Sequence, residues 1–141
     1  MKNKKLCIGL YTGSVDKLTA AGIILSGAVA NDMEVDIYVL LQAARAFRKD
    51  IGDNTDKLNM AENAELKEEF LASLKKLNIK TWVEFFKEAK ALANVKIHIC
   101  GTAGKIWGAE KLDDFIELAD DICGIGAYIQ AAEEADVNLF I

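Results

Sequence analysis

Apolar and polar positions alternate between two periods along this chain. Lys5 to Tyr11 (KLCIGLY) is a short apolar run that stops at Thr12-Gly13-Ser14, the pattern of a buried strand followed by a turn. Val15, Leu18, Gly22, Leu25 and Val29 then fall three or four residues apart, which predicts a helix with one broad apolar face. Val35 to Leu41 predicts a second strand, and Ala43 to Arg48 a short helix. Residues 49–65 are polar and turn-rich and predict a mobile excursion. Leu66, Phe70, Leu74 and Leu77 mark another helix. Thr81-Trp82-Val83-Glu84 is a capping-box pattern, opening a helix that would bury Trp82, Phe85, Phe86, Ala89 and Leu92. Val95 to Cys100 reads as the third strand, Lys111 to Leu118 as a helical stretch and Asp121 to Gly124 as a weaker fourth strand. A last helix holds Tyr128, Ala131, Ala132 and Ala135, and Val137 to Ile141 is a fifth strand.

Strand and helix alternate throughout, which predicts an α/β fold with a mostly parallel sheet covered by helices on both faces. With 141 residues and no internal repeat, the chain is expected to form one domain, residues 1–141. No apolar run approaches the roughly 18 residues of a membrane span, and the basic start lacks the core of a signal peptide, so a cytoplasmic protein is expected. The net charge of -5 without a basic stripe argues against nucleic acid as partner.

Chemistry collects at the carboxyl ends of parallel strands. Thr12-Gly13-Ser14, Cys100 with its loop, and Cys123 are all predicted there. The chain has three cysteines, no CxxC pair and a single histidine, so neither a zinc site nor a disulfide framework is expected. Cys100 stands where a strand gives way to a helix, followed by Gly101, Thr102 and Gly104. Backbone amides in such a turn could face a thiolate or an oxyanion attached to it. The competing reading is that Cys100 is a small buried hydrophobe, as free cysteine usually is. Cys7, in mid-strand, reads as core. Cys123 reads as packing, or as a resolving thiol if its strand neighbours that of Cys100. His98 would leave the same strand face as Cys100 but about 7 Å away, too far for direct proton transfer, which favours a hydrogen-bonded structural role. Thr12, Gly13, Ser14 and Lys17 read as an anion cradle, whose Ser14 and Lys17 are expected to join the Cys100 loop in holding an oxyanion, or simply as an N-cap. Trp82 and Trp107 read as packing or interface residues. The spacing Gly9-x-x-x-Gly13 is no dinucleotide fingerprint, and the carboxylates between Lys49 and Glu69 lack EF-hand spacing.

Taken in order, four stretches resemble the DsrE/DsrF-like sulfur-relay family, in its single-domain branch often labelled peroxiredoxin-like. They are Thr12-Gly13-Ser14-Val15-Asp16-Lys17, Asn31-Asp32-Met33-Glu34-Val35, Val95 to Cys100, and Ala135 to Ile141. The resemblance implies a three-layer α/β/α sandwich with five parallel strands, assembled into homo-oligomers. It places the family's reactive cysteine at Cys100, which would take sulfane sulfur as a persulfide, or a thiosulfonate group, and pass it to an acceptor thiol. Donor and acceptor would be rhodanese-like or carrier proteins, with no cofactor beyond the covalent cargo and no metal. Relatives commonly carry serine three residues after the cysteine; here Ala103 stands there, with Thr102 beside it. Their methionine-rich middle segment is here acidic and polar, leaving only Met60.

Three functions are therefore expected in order: a sulfur carrier on Cys100, a thiol-disulfide or peroxide-reducing enzyme using Cys100 with Cys123, and a small-molecule-binding module in which Cys100 only packs.

Overall fold

Leu6, Ile8 and Leu10 on the first strand, Val35, Ile37 and Val39 on the second, and Val95, Ile97 and Ile99 on the third are all buried, and this period-two set forms the floor of the core. A computed structural model describes residues 3–52 and 54–141; Met1, Lys2 and Asp53 lie outside the described residues. Its strands are β1 (Lys5–Leu10), β2 (Glu34–Val39), β3 (Val95–Cys100), β4 (Asp121–Cys123) and β5 (Val137–Phe140). Its helices are α1 (Val15–Ala30), α2 (Leu41–Ala46), α3 (Lys67–Lys76), α4 (Trp82–Leu92), α5 (Gly101–Ile106) and α6 (Gly126–Glu134). The sheet runs β4-β3-β2-β1-β5, and every pairing is parallel.

Handedness then sorts the helices. Steps from β1 to β2 to β3 go one way, so right-handed crossovers set α1 and α4 on one face, where they pack against each other. The step from β4 back to β5 reverses direction and sets α6 on the opposite face, over β1. The result is the expected three-layer α/β/α sandwich. α1 and α4 meet at bare backbone: a Cβ on Gly22 would stand 2.6 Å from Cβ of Phe85. Beneath them Phe47, Trp82 and Phe86 form an aromatic cluster with centroid separations of 5.2, 5.4 and 6.1 Å.

The capping box forms as read: the Glu84 amide donates to Oγ1 of Thr81 (3.3 Å), whose hydroxyl donates to Oε1 of Glu84 (3.2 Å). The face it was expected to bury is narrower. Trp82, Val83, Phe86 and Ala89 are buried, whereas Phe85 is half-buried against α1 and Leu92 is exposed. Lys111 to Leu118 is not a helix. Only Leu112–Asp114 makes a 3₁₀ turn, because the Asp114 carboxylate accepts from the Glu110 and Lys111 amides, and Phe115 then bridges antiparallel to Arg48. Residues 49–65 are anchored at Ile51 and Leu58, both buried, and by the Val15 amide donating to the Asn59 carbonyl (2.8 Å).

Candidate functional site

Cys100 is the last residue of β3 and the N-cap of α5 (φ -64, ψ 121). Its register partner across the sheet is Cys123, the last residue of β4. Neighbouring parallel strands lie about 4.8 Å apart and their partners project to one face, so this Cα spacing falls within the span of a disulfide, about 4.4–6.8 Å. Both thiols are free. Cys100 lies deeper than a thiol open to solvent, at 8% exposure, because α5 packs on α2 and on β3 itself. Burial, with the charge of Asp121 and then Cys100 adding to it, pushes the Cys123 thiol up to about 11. Burial, then the charge of Asp36, pushes Cys7 up to about 11 as well. Neither is a thiolate at neutral pH.

The glycines after Cys100 do not form the tight turn that the sequence suggests. Gly101 and Gly104 lie within α5, and neither has a positive φ. A Cβ on Gly104 would run into the Ala109 carbonyl, so this glycine is required for packing the loop that follows α5. Gly101 would tolerate a Cβ, 3.5 Å from a methyl of Ile122. Thr102 is exposed beside the thiol's turn, and Ala103 is buried. Trp107 donates its indole N–H to the Leu41 carbonyl (2.7 Å) and ties the end of α5 to α2, the packing role expected of it.

Thr12, Gly13, Ser14 and Lys17 gather elsewhere. They line a cavity of about 350 Å3 between the ends of β1 and β5, with Gln42 and Arg45 of α2 as its far wall. Cys100 is not among the walls: β3 lies two strand spacings from β1, about 10 Å. Ser14 holds the N-cap position of α1 but makes no capping bond; its hydroxyl pairs with that of Thr12 (3.0 Å). The anion cradle and the thiol are thus two places on one sheet edge.

His98 occupies a third, on the α6 face. Its Nδ1 is 2.8 Å from Oδ1 of Asp121 and its Nε2 2.8 Å from Oδ1 of Asp36, while its ring stacks on Tyr38 at 4.6 Å. An imidazole that donates from both nitrogens is the imidazolium. The hydrogen bond to Asp36 raises its pKa most, burial opposes this, and Asp121 adds to the rise. A pKa raised on folding adds stability that is complete below the unfolded value, about 6.5, and is lost as pH rises through the folded value. Urea midpoints should therefore fall across that window, and His98→Gln should flatten this part of the curve. Parallel curves for the two proteins would refute the assignment. Asp36 and Asp121 escape a motif search, yet a charged residue in mid-strand, in phase with Tyr38, was the signal that could have found Asp36. Arg45 carried none.

No family model matches the chain. It is 30% identical to the uncharacterized protein YrkE of Bacillus subtilis (strain 168), an alignment covering 99% of this chain and 98% of that one. A solved structure, that of the protein of unknown function MTH1491 from Methanobacterium thermoautotrophicum, superposes with a TM-score of 0.62 over 99% of this chain and all of that one. At 10% identity the two share a fold.

Proposed function

The chain belongs to the family of Bacillus subtilis YrkE, and we propose that it is a cytoplasmic sulfur carrier that loads sulfane sulfur, or a thiosulfonate group, on Cys100. The observation that carries this reading is the position of Cys100, which ends β3 at the carboxyl edge of an all-parallel sheet, where such folds place their chemistry. The other two thiols are held protonated. The motifs resembling the DsrE/DsrF-like sulfur-relay family support the same residue.

The Cys100 thiolate attacks a sulfane sulfur of a polysulfide; an S–S bond forms, the adjacent S–S bond breaks, and the shortened polysulfide leaves with the electron pair. From tetrathionate the leaving group is thiosulfate, and an S–SO3⁻ group stays on Cys100. An acceptor thiolate then attacks the sulfane sulfur bonded to Sγ of Cys100; that S–S bond breaks, the sulfur or the whole S–SO3⁻ group moves to the acceptor, and Cys100 departs as thiolate, with no external reductant. Donor and acceptor are thiol proteins, rhodanese-like or carriers.

The register of Cys100 with Cys123 favours a second reading, a peroxide-reducing dithiol. The Cys100 thiolate would open the O–O bond to become a sulfenic acid, and Cys123 would condense with it, releasing water and forming the disulfide. Intact mass after polysulfide or tetrathionate treatment tests the carrier: the wild type should gain one sulfur or one thiosulfonate group. A loss of two hydrogens under mild peroxide would favour the second reading. A Cys100 that is inert until the protein unfolds would remove both.

The α6 face supports the homo-oligomer that the resemblance implies. α6 buries none of its residues, and Ile125, Ile129 and Phe140 stand exposed on that side, an apolar surface that a second copy would cover. Light scattering should return a multiple of the chain mass that Ile129→Glu lowers; a single-chain mass for the wild type would remove the proposal.

A further inference from the structure

The structure assigns the cavity between β1, β5 and α2 as a binding site of its own, separate from Cys100, for a small molecule with a tetrahedral oxyanion head such as phosphate or a sulfur oxyanion. The sheet's topology gives its position. Connections leave β1 for β2 on one side and return to β5 on the other, so the ends of β1 and β5 flank the point where strand order reverses. In open parallel sheets that crevice is where ligands sit.

Charge gives the class of ligand. The chain carries 22 acidic and 17 basic residues, yet the cavity is walled by two cations, Lys17 and Arg45, and by no carboxylate side chain. Neither cation is in an ion pair among the described residues. The nearby carboxylate of Asp16 is engaged by the Ala61 amide (3.0 Å). Among the described residues Arg45 makes one long contact, from Nη1 to the Lys57 carbonyl (3.4 Å), which takes up one of the five guanidinium donors. Two like charges facing one cavity repel each other, and an anion between them reverses the sign of that interaction. The planar guanidinium offers paired donors to an oxyanion, Lys17 a point charge, and the Thr12–Ser14 hydroxyl pair the one hydrogen not used between them.

Packing fixes the turn that carries Thr12 and Ser14, while Lys17 is exposed and Arg45 half-buried at the cavity wall. Thr12 is buried, and a Cβ on Gly13 would fall 2.6 Å from the Gln42 carbonyl, so α2 rests directly on the β1–α1 turn. The Tyr11 and Thr12 amides donate to the Ile141 carbonyl (2.7 and 3.1 Å), closing the opposite wall. The volume of about 350 Å3 holds an oxyanion and falls at the lower end of small-molecule sites, about 300–1,000 Å3.

Calorimetric titration of the full chain with inorganic phosphate, with thiosulfate, and with chloride at matched ionic strength tests the site. Saturable binding of an oxyanion but not of chloride is expected. Arg45→Gln and Lys17→Gln, checked for unchanged circular dichroism and thermal midpoint, should each weaken it roughly tenfold or more, while Cys100→Ser should leave it unchanged. Binding of phosphate and thiosulfate alike means recognition of the shared head; binding of thiosulfate alone narrows the ligand to sulfur oxyanions. No saturable binding, or binding by both cation variants as tight as that of the wild type, overturns the assignment. Thiosulfate binding abolished by Cys100→Ser would also overturn it, by placing the anion at the thiol.

Discussion

Exchange of Cys100 for serine is expected to reduce sulfur loading to background while the protein stays folded. Serine nearly matches cysteine in size, and the position is a strand end rather than the centre of the core, so the cost is that of one hydroxyl at a largely buried place, about 1–3 kcal/mol. A serine hydroxyl does not ionise near neutral pH and cannot displace a polysulfide. Cys123→Ser should load like the wild type, because its thiol is pushed up to about 11 and takes no part in the first attack. The same change should abolish any peroxide-driven loss of two hydrogens, which requires both sulfurs. Intact-mass spectra of the variants separate these outcomes. An undiminished gain in Cys100→Ser would transfer the cargo to Cys7 or Cys123 and end the carrier reading at this residue.

The largest loss of stability is expected from Phe47→Ala. Phe47 is fully buried at the end of α2, packed on Trp82 and Phe86, and its carbonyl accepts from the Ile116 amide (2.8 Å). Truncating a buried phenylalanine costs about 3–5 kcal/mol, because the cavity left behind adds to the lost transfer energy. A chain of 141 residues holds roughly 7–20 kcal/mol in all. The thermal midpoint should therefore fall by roughly 10–20 °C. Chemical denaturation and a thermal scan measure both; a loss below about 1 kcal/mol would mean that the ring does not fill its place as described.

Much of this architecture was legible because burial writes a period into the chain. The nearly continuous apolar run of β1 marks a strand covered on both faces, the alternating apolar positions of β2 and β3 mark strands with one face on the core, and the Thr81–Glu84 box fixes where α4 begins. Legibility failed where a tertiary contact decided. Leu112, Phe115, Ile116 and Ala119 mimic helical spacing, but pairing of Phe115 with Arg48 and donation of the Ile116 amide to the Phe47 carbonyl draw that segment out past the end of α2. The glycines after Cys100 looked like turn formers because strand-to-helix turns often use them, whereas Gly104 answers to the carbonyl of Ala109. Most of the site's organisation was hidden in strand order. That Cys123 meets Cys100, that Asp36 and Asp121 bracket His98, and that Arg45 faces Lys17 all depend on which elements become neighbours, and local patterns do not encode this.

Strand order also has a consequence during synthesis. β1 gains one neighbour early, when Leu6 pairs with Val35, but its other side stays bare until Val137 can reach Leu6. A nascent chain emerging from the ribosome thus holds β1 half-zipped, with an open row of amides and carbonyls exposed to other chains, until β5 has been made. Such long-range closure is slow, so chaperone demand should concentrate on that unfinished edge.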